Sequence, residues 1–122
     1  MSEIRANTLS DAAGTGPATL TKQSASKLWV NFNGSTIAIR DSYNLASITD
    51  NGTGSYDLNT TSAFTDANYS VPGSAWQTGV GFARASCPSA STASAILVYL
   101  GSPAGAFADM PIGMFAAHGD LA

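Results

Sequence analysis

Between Ile37 and Leu58 the chain reads I-A-I-R-D-S-Y-N-L-A-S-I-T-D-N-G-T-G-S-Y-D-L, and its segment Asp50-Asn51-Gly52-Thr53-Gly54 constrains the fold most. Asn-Gly with a second Gly close behind, set between alternating apolar residues, is the strongest short-range signal for a β-hairpin. Asn51 and Gly52 tolerate the positive φ that a tight turn demands, and Gly54 suits the bulge that often follows. Ahead of the turn, Tyr43 and Leu45 alternate with Asn44 and Ala46; beyond it, Tyr56 and Leu58 alternate with Asp57 and Asn59. One face of this hairpin is apolar and aromatic, so it needs a second layer to cover it.

The rest of the chain supplies further strands. Leu28 to Phe32 alternates, and Asn33-Gly34 closes it with a turn before a strand begins at Ile37. Thr21 is placed to cap a single helical turn ahead of it. Thr60 to Asn68 is small and polar around one anchor, Phe64. An extended run from Tyr69 to Val71 should end at Pro72-Gly73, and the glycine-interrupted segment Trp76 to Ala85 reads as a bent strand. Ser86 to Ser94 is a loop. Ala95 to Leu100 is apolar and β-branched, the pattern of a buried central strand. After a loop over residues 101 to 111, Ile112 to Ala117 makes the last strand. Seven or eight short strands with frequent turns predict an all-β fold, an antiparallel β-sandwich or jelly-roll-like knob. Residues 1–19 carry only Ile4 and Leu9 as large apolar side chains and leave through Gly14, Gly16 and Pro17. They read as an extended N-terminal arm preceding a β domain over 20–122, with Ile4 and Leu9 as its docking anchors.

Such strands must present a surface, and here the composition matters. Of the 122 residues, 11% are charged and 44% apolar, against a usual charged share of about 25%. The exterior therefore falls to Ser, Thr, Asn, Gly and Ala, which suits strands, turns and close subunit contacts better than solvated helices. With a net charge of −3 and five basic residues, the chain lacks the clustered cations that nucleic acid requires. No apolar run reaches the roughly 18 residues needed to cross a bilayer as a helix, and the first residues have no apolar core of the kind a secretion signal carries. Cys87 is the single cysteine, so the chain forms no internal disulfide.

Candidate chemistry is sparse. Ser24-Ala25-Ser26-Lys27 matches S-x-x-K, but the companion S-D-N and K-T-G motifs of acyl-enzyme hydrolases are absent. His118 is the only histidine, and one histidine per chain builds a metal site only where symmetry supplies the others. Asp41, Asp50, Asp57 and Asp66 lie near turns or alternate outward, and turn aspartates commonly bond their own backbone. Asn33, Asn51, Asn59 and Asn68 each begin an N-x-[ST] sequence, the by-product of a surface rich in these residues. These readings give no catalytic residue, no metal and no cofactor.

Several phrases carry a resemblance. L-T-K-Q-S-A-S-K-L-W-V-N-F-N-G (20–34), A-I-R-D-S-Y-N-L-A-S-I-T-D-N-G-T-G-S-Y (38–56) and F-T-D-A-N-Y-S-V (64–71) resemble a module of small virion proteins of marine bacteriophages, labelled tail-fibre or fibre-like. The opening M-S-E-I-R-A-N-T-L-S-D-A-A-G and the closing M-F-A-A-H-G-D are similar to the ends of that module, whereas residues 74–111 match none of its phrases. The resemblance implies a non-enzymatic protein of the phage particle surface, assembled as a homotrimer in the host cytoplasm. Its partners would be other virion proteins of the tail, neck or capsid, with a host surface glycan as a further one. No heptad or repeat separates arm from knob, so the expected object is compact, without a shaft. Host attachment as a tail or neck fibre knob is the leading expectation. A capsid decoration (cement) protein is the alternative, and a glycan depolymerase comes third. Exposed aromatic rings at loop tips would favour attachment; an arm threaded between capsomers would favour decoration.

Overall fold

Alternation sorts the central strands into two facing layers. The computed structural model describes residue 13 and residues 25–79, 83–88 and 91–122. Its strands are β1 (Leu28–Asn33), β2 (Ala38–Tyr43), β3 (Leu45–Gly52), β4 (Ser55–Thr60), β5 (Gly73–Trp76), β6 (Arg84–Ser86), β7 (Ala95–Gly101) and β8 (Ile112–Ala117). They form two four-stranded sheets, ordered β2-β1-β8-β5 and β3-β4-β7-β6, in which every pairing is antiparallel. The all-β sandwich expected from the sequence is the observed architecture. The arm over 1–19, with Ile4 and Leu9, and the turn proposed at Thr21 lie outside the described residues.

The core comes from the two inner strands of each sheet. Leu28, Val30 and Phe32 of β1 with Phe115 and Ala117 of β8 face Tyr56 and Leu58 of β4 with Ile96, Val98 and Leu100 of β7, all buried. Phe32 meets Tyr56 edge-on, with centroids 5.3 Å apart at 76°, an arrangement aromatic quadrupoles favour. Gly113, between Ala75 and Phe32 in the register, leaves the volume that the Phe32 ring fills: a Cβ there would lie 2.9 Å from that ring. Phe64 and Met110 enter from loops and complete the core.

Three local expectations are corrected. The run from Ile37 to the hairpin is not continuous, because Asn44 takes φ 57° and passes the chain from β2 in one sheet to β3 in the other. Asparagine tolerates the left-handed region better than most residues, and bonds on both sides hold this one. Its Nδ2 donates to the carbonyls of Lys27 and Ser62 at 2.9 and 3.0 Å, and its Oδ1 accepts from Ser62 N at 2.7 Å. Trp76 to Ala85 is likewise two strands. β5 ends at Trp76 and β6 starts at Arg84 in the opposite sheet, with a bridge between Ala75 and Ala83 joining the two sheet edges. Gly73 begins β5 rather than ending a strand; ahead of it Ser70 makes only an isolated bridge to His118.

The hairpin itself sits one step later than the Asn-Gly signal implies. Gly52 pairs with Ser55, leaving Thr53 and Gly54 as the loop, and the register shifts between Asp50 and Gly52. Gly52 (φ 117°) and Gly54 (φ 67°) occupy positive φ, whereas Asn51 does not and lies exposed at the bulge. The Asp50 side chain accepts from Gly52 N at 2.9 Å, which places the irregularity at Asn51 and frees the following pair to turn.

Candidate functional site

The outward side chains of the β2-β1-β8-β5 sheet are unusually apolar. Register places Trp29 beside Tyr43 on one side and Ala116 on the other, Met114 beside Asn31 and Ser74, and Trp76 beside Ile112. Trp29, Trp76 and Met114 are 38–39% exposed and Tyr43 is 53% exposed. Trp29, Asn31, Pro72, Ser74, Met114 and Ala116 line an open depression of about 590 Å³ on this face. Among the described residues no charged one lines this depression; beside it, Arg40 Nη1 donates to Asn31 Oδ1 at 3.2 Å and Nη2 to the Pro111 carbonyl at 2.6 Å, and exposed Asp41 lies opposite Asn31 in the register. Those bonds hold the guanidinium to its own sheet and leave the aromatic centre free of charge. Contiguous exposed apolar surface of this kind marks interaction sites.

Behind the hairpin lies a polar lock. Asp109 Oδ1 accepts from Gly54 N at 2.7 Å and from the Tyr56 hydroxyl at 2.6 Å. The hydroxyl also lies 3.1 Å from the Gly34 carbonyl, but a phenol has one proton, and the carboxylate is nearer. Burial, then the hydrogen bond to Asp109 and its charge, push the Tyr56 pKa well above the ordinary phenol range. A carboxylate oxygen engaged by two donors of the fold orders the turn and the loop before β8; it is not poised for proton transfer to a ligand.

The remaining singled-out residues are dispersed. Asp41, Asp50 and Asp66 accept from backbone amides one or two residues on, as turn chemistry predicts, and Asp57 projects from β4. His118 is half-buried at the bridge to Ser70, and Cys87 contacts Ser91 and Pro88. Among the described residues no group of three or more His, Cys, Asp or Glu side chains is arranged to hold a metal. Ser24 of the S-x-x-K match lies outside the described residues, as do Ile4 and Leu9.

Sequence reasoning missed both the Asp109 lock and the apolar outer face. The signal for the face was present: Leu28-Trp29-Val30 and Met114-Phe115-Ala116-Ala117 are apolar on both sides of the strand, the pattern of strands covered on both faces. Comparison with known proteins finds no matching family model, curated protein or solved structure.

Proposed function

We propose that this chain is a non-enzymatic structural protein of a bacteriophage particle surface. In this reading it is a homotrimeric β knob whose β2-β1-β8-β5 sheets turn toward the three-fold axis, and it serves host attachment at the tail or neck. The resemblance in residues 20–71 supports the virion setting. The observation that carries the assembly is the outer face bearing Trp29, Tyr43, Trp76 and Met114. Aromatic side chains bury roughly 150–250 Å² each, so covering what these four leave exposed removes on the order of 400 Å² from water. At about 25 cal/mol per Å² that is roughly 10 kcal/mol gross, within the range of about 4–15 kcal/mol that association costs. The face therefore sustains assembly only if it is covered as a whole. Attachment is favoured over decoration by Phe107, an aromatic ring 58% exposed at the end of the loop after β7.

The test is native mass measurement at micromolar concentration on the full chain and on Trp29→Ser. A trimer that the variant shifts toward monomer, with the fold intact by circular dichroism, supports the reading. A stable wild-type monomer refutes the assembly. Imaging of the particle then separates the roles, since copies at the tail or neck support attachment, copies on the head support decoration, and absence from particles removes the virion reading.

A further inference from the structure

The opposite outer face, on the β3-β4-β7-β6 sheet, carries a smaller, partly open site of different chemistry. Arg84 pairs with Gly101, Ala85 with Leu100 and Ser86 with Tyr99. Leu100 is buried in the core, so Arg84, Ser86 and Tyr99 project outward. The chain then doubles back in a tight loop, with Ser102 N donating to the Ala106 carbonyl at 2.8 Å and Gly105 N to the Ser102 carbonyl at 2.9 Å. A bridge between Gly101 and Phe107 closes the loop and lays the Phe107 ring against Tyr99, centroids 4.8 Å apart at 40°. Gly105, at φ 96°, lies beside the Arg84 guanidinium, where a Cβ would be in ordinary contact with Nη1 at 3.5 Å.

Guanidinium, two aromatic rings and the Ser86 hydroxyl thus wall a cavity of about 140 Å³, a volume that accepts a six-membered ring. Unlike Arg40, Arg84 makes no hydrogen bond or ion pair with any described residue. In a chain of net charge −3, an exposed cation at the wall of a ring-sized depression selects for a carboxylate, which the guanidinium fork binds through two parallel hydrogen bonds. The aromatic pair selects for a ring with an apolar C–H face, and Ser86 for a ring hydroxyl. We infer that this pocket binds the acidic sugar unit of an anionic glycan, a uronic or sialic acid residue with its carboxylate on Arg84 and its ring against Phe107. The inference deepens the attachment reading and rests on it for where the glycan is presented.

The experiment is titration of the full chain with D-glucuronate and N-acetylneuraminate, followed by NMR or calorimetry, with D-glucose and acetate as comparators. At least one acidic sugar should bind in the millimolar range, about tenfold or more tighter than glucose, because a hydrogen bond to a charged group is worth roughly that factor, and tighter than acetate, which shares the carboxylate but lacks the ring that meets Phe107 and Ser86. Arg84→Gln should weaken binding at least about tenfold, Arg84→Lys should restore part of it, and Phe107→Ala should weaken it with charge unchanged. Trp29→Ser, on the other outer face, should leave it as it was. Acetate binding as tightly as the sugars, affinity unchanged in Arg84→Gln, or no saturation at tens of millimolar (about the weakest affinity a single charged bond sustains) would each overturn the site. Its failure is separable from that of attachment: antibody against the protein blocking adsorption without acidic-sugar binding removes the pocket alone. Sugar binding by a protein absent from tail and neck overturns attachment and leaves the pocket standing.

Discussion

Replacing Gly54 by Ala tests the hairpin where it meets the rest of the fold. Gly54 has φ 67°, in the left-handed region where an L side chain costs roughly 1–2 kcal/mol. A Cβ there would also strike the Leu100 carbonyl oxygen and lie 2.7 Å from Ala108 N. Both are backbone atoms, so relief requires β7 or the segment ahead of Asp109 to shift. That shift opposes the bonds from Gly54 N to Asp109 Oδ1 at 2.7 Å and from Leu100 N to the Gly54 carbonyl at 2.8 Å. Losing the first, which is charge-assisted, costs about 1.5–3 kcal/mol, and the second about 0.5–1.5. The sum is about 3–6.5 kcal/mol, a large part of the roughly 5–15 that holds a typical domain. Gly52→Ala is the internal control, since φ 117° strains it but no atom lies within 4 Å of the added Cβ; it should cost only about 1–3 kcal/mol. Asn51→Ala, exposed and outside positive φ, should stay within about 0.5 kcal/mol. Denaturant unfolding followed by tryptophan fluorescence, at matched protein concentration because assembly adds stability, gives all three. Equal losses for Gly54→Ala and Gly52→Ala would refute the contact argument, and a loss at Asn51 as large as at Gly52 would refute the placement of the turn.

Three further outcomes are expected. Stability should decline above pH 10: the folded Tyr56 keeps a proton that the unfolded chain releases near pH 10, so the slope is negative there and at most about 1.4 kcal/mol per pH unit per tyrosine. Burial raises Tyr69 in the same direction; Tyr56→Phe should therefore flatten the decline only in part, in unfolding curves taken from pH 8 to 11, while costing about 1–3 kcal/mol at neutral pH. Asn44→Ala should cost about 2–4 kcal/mol, through left-handed strain and the lost bonds to Lys27 and Ser62; Asn44→Gly keeps the backbone and should cost less in the same assay. Deleting residues 1–19 should leave the β domain folded by circular dichroism, because the described buried core lies between Leu28 and Ala117, yet should remove the protein from purified particles. Unfolding of the truncated chain would place the arm in the core, and retained incorporation would move docking onto the β domain.

What the sequence made legible follows from which strands bury a side against the opposite sheet. β1, β4, β7 and β8 each bury one side against the other sheet, which marks them with alternating or continuous apolar residues, and all four were readable, as was the hairpin joining β3 to β4. The edge strand β2 is exposed along nearly its whole length, so no burial imposed a pattern that would mark its end at Tyr43. The sheet crossing at Asn44 depends on carbonyls of Lys27 and Ser62, 17 and 18 residues away, which local propensity does not register. Ile37 is more opaque still. A β-branched residue at φ 53° is held in strain of about 1–3 kcal/mol, offset by packing against the core, and nothing in its neighbours announces it. Asp109 acts on a turn 55 residues earlier in the chain; only the fold brings the two together.

Of the four crossings between sheets, the two that join edge strands, β2 to β3 and β5 to β6, also decide where function can sit. Because the chain changes sheet at Asn44, and again between Trp76 and Arg84, the edges of the sandwich are joined by covalent chain or by the Ala75–Ala83 bridge. Edge-to-edge strand addition is thereby discouraged at those sides, and association is left to the broad faces. The faces differ in chemistry. One presents Trp29, Tyr43, Trp76 and Met114 with its single arginine bonded to the sheet; the other presents Arg84 in a cavity beneath Phe107. A subunit that buries the first face against its neighbours turns the second outward by geometry alone, since the two sheets lie back to back. Assembly and ligand binding then occupy opposite layers. Trp29→Ser should therefore change oligomeric state without touching acidic-sugar affinity, and Arg84→Gln should do the reverse. A variant on either face that altered both measurements would show that the two surfaces are coupled and that the division of roles between the sheets is wrong.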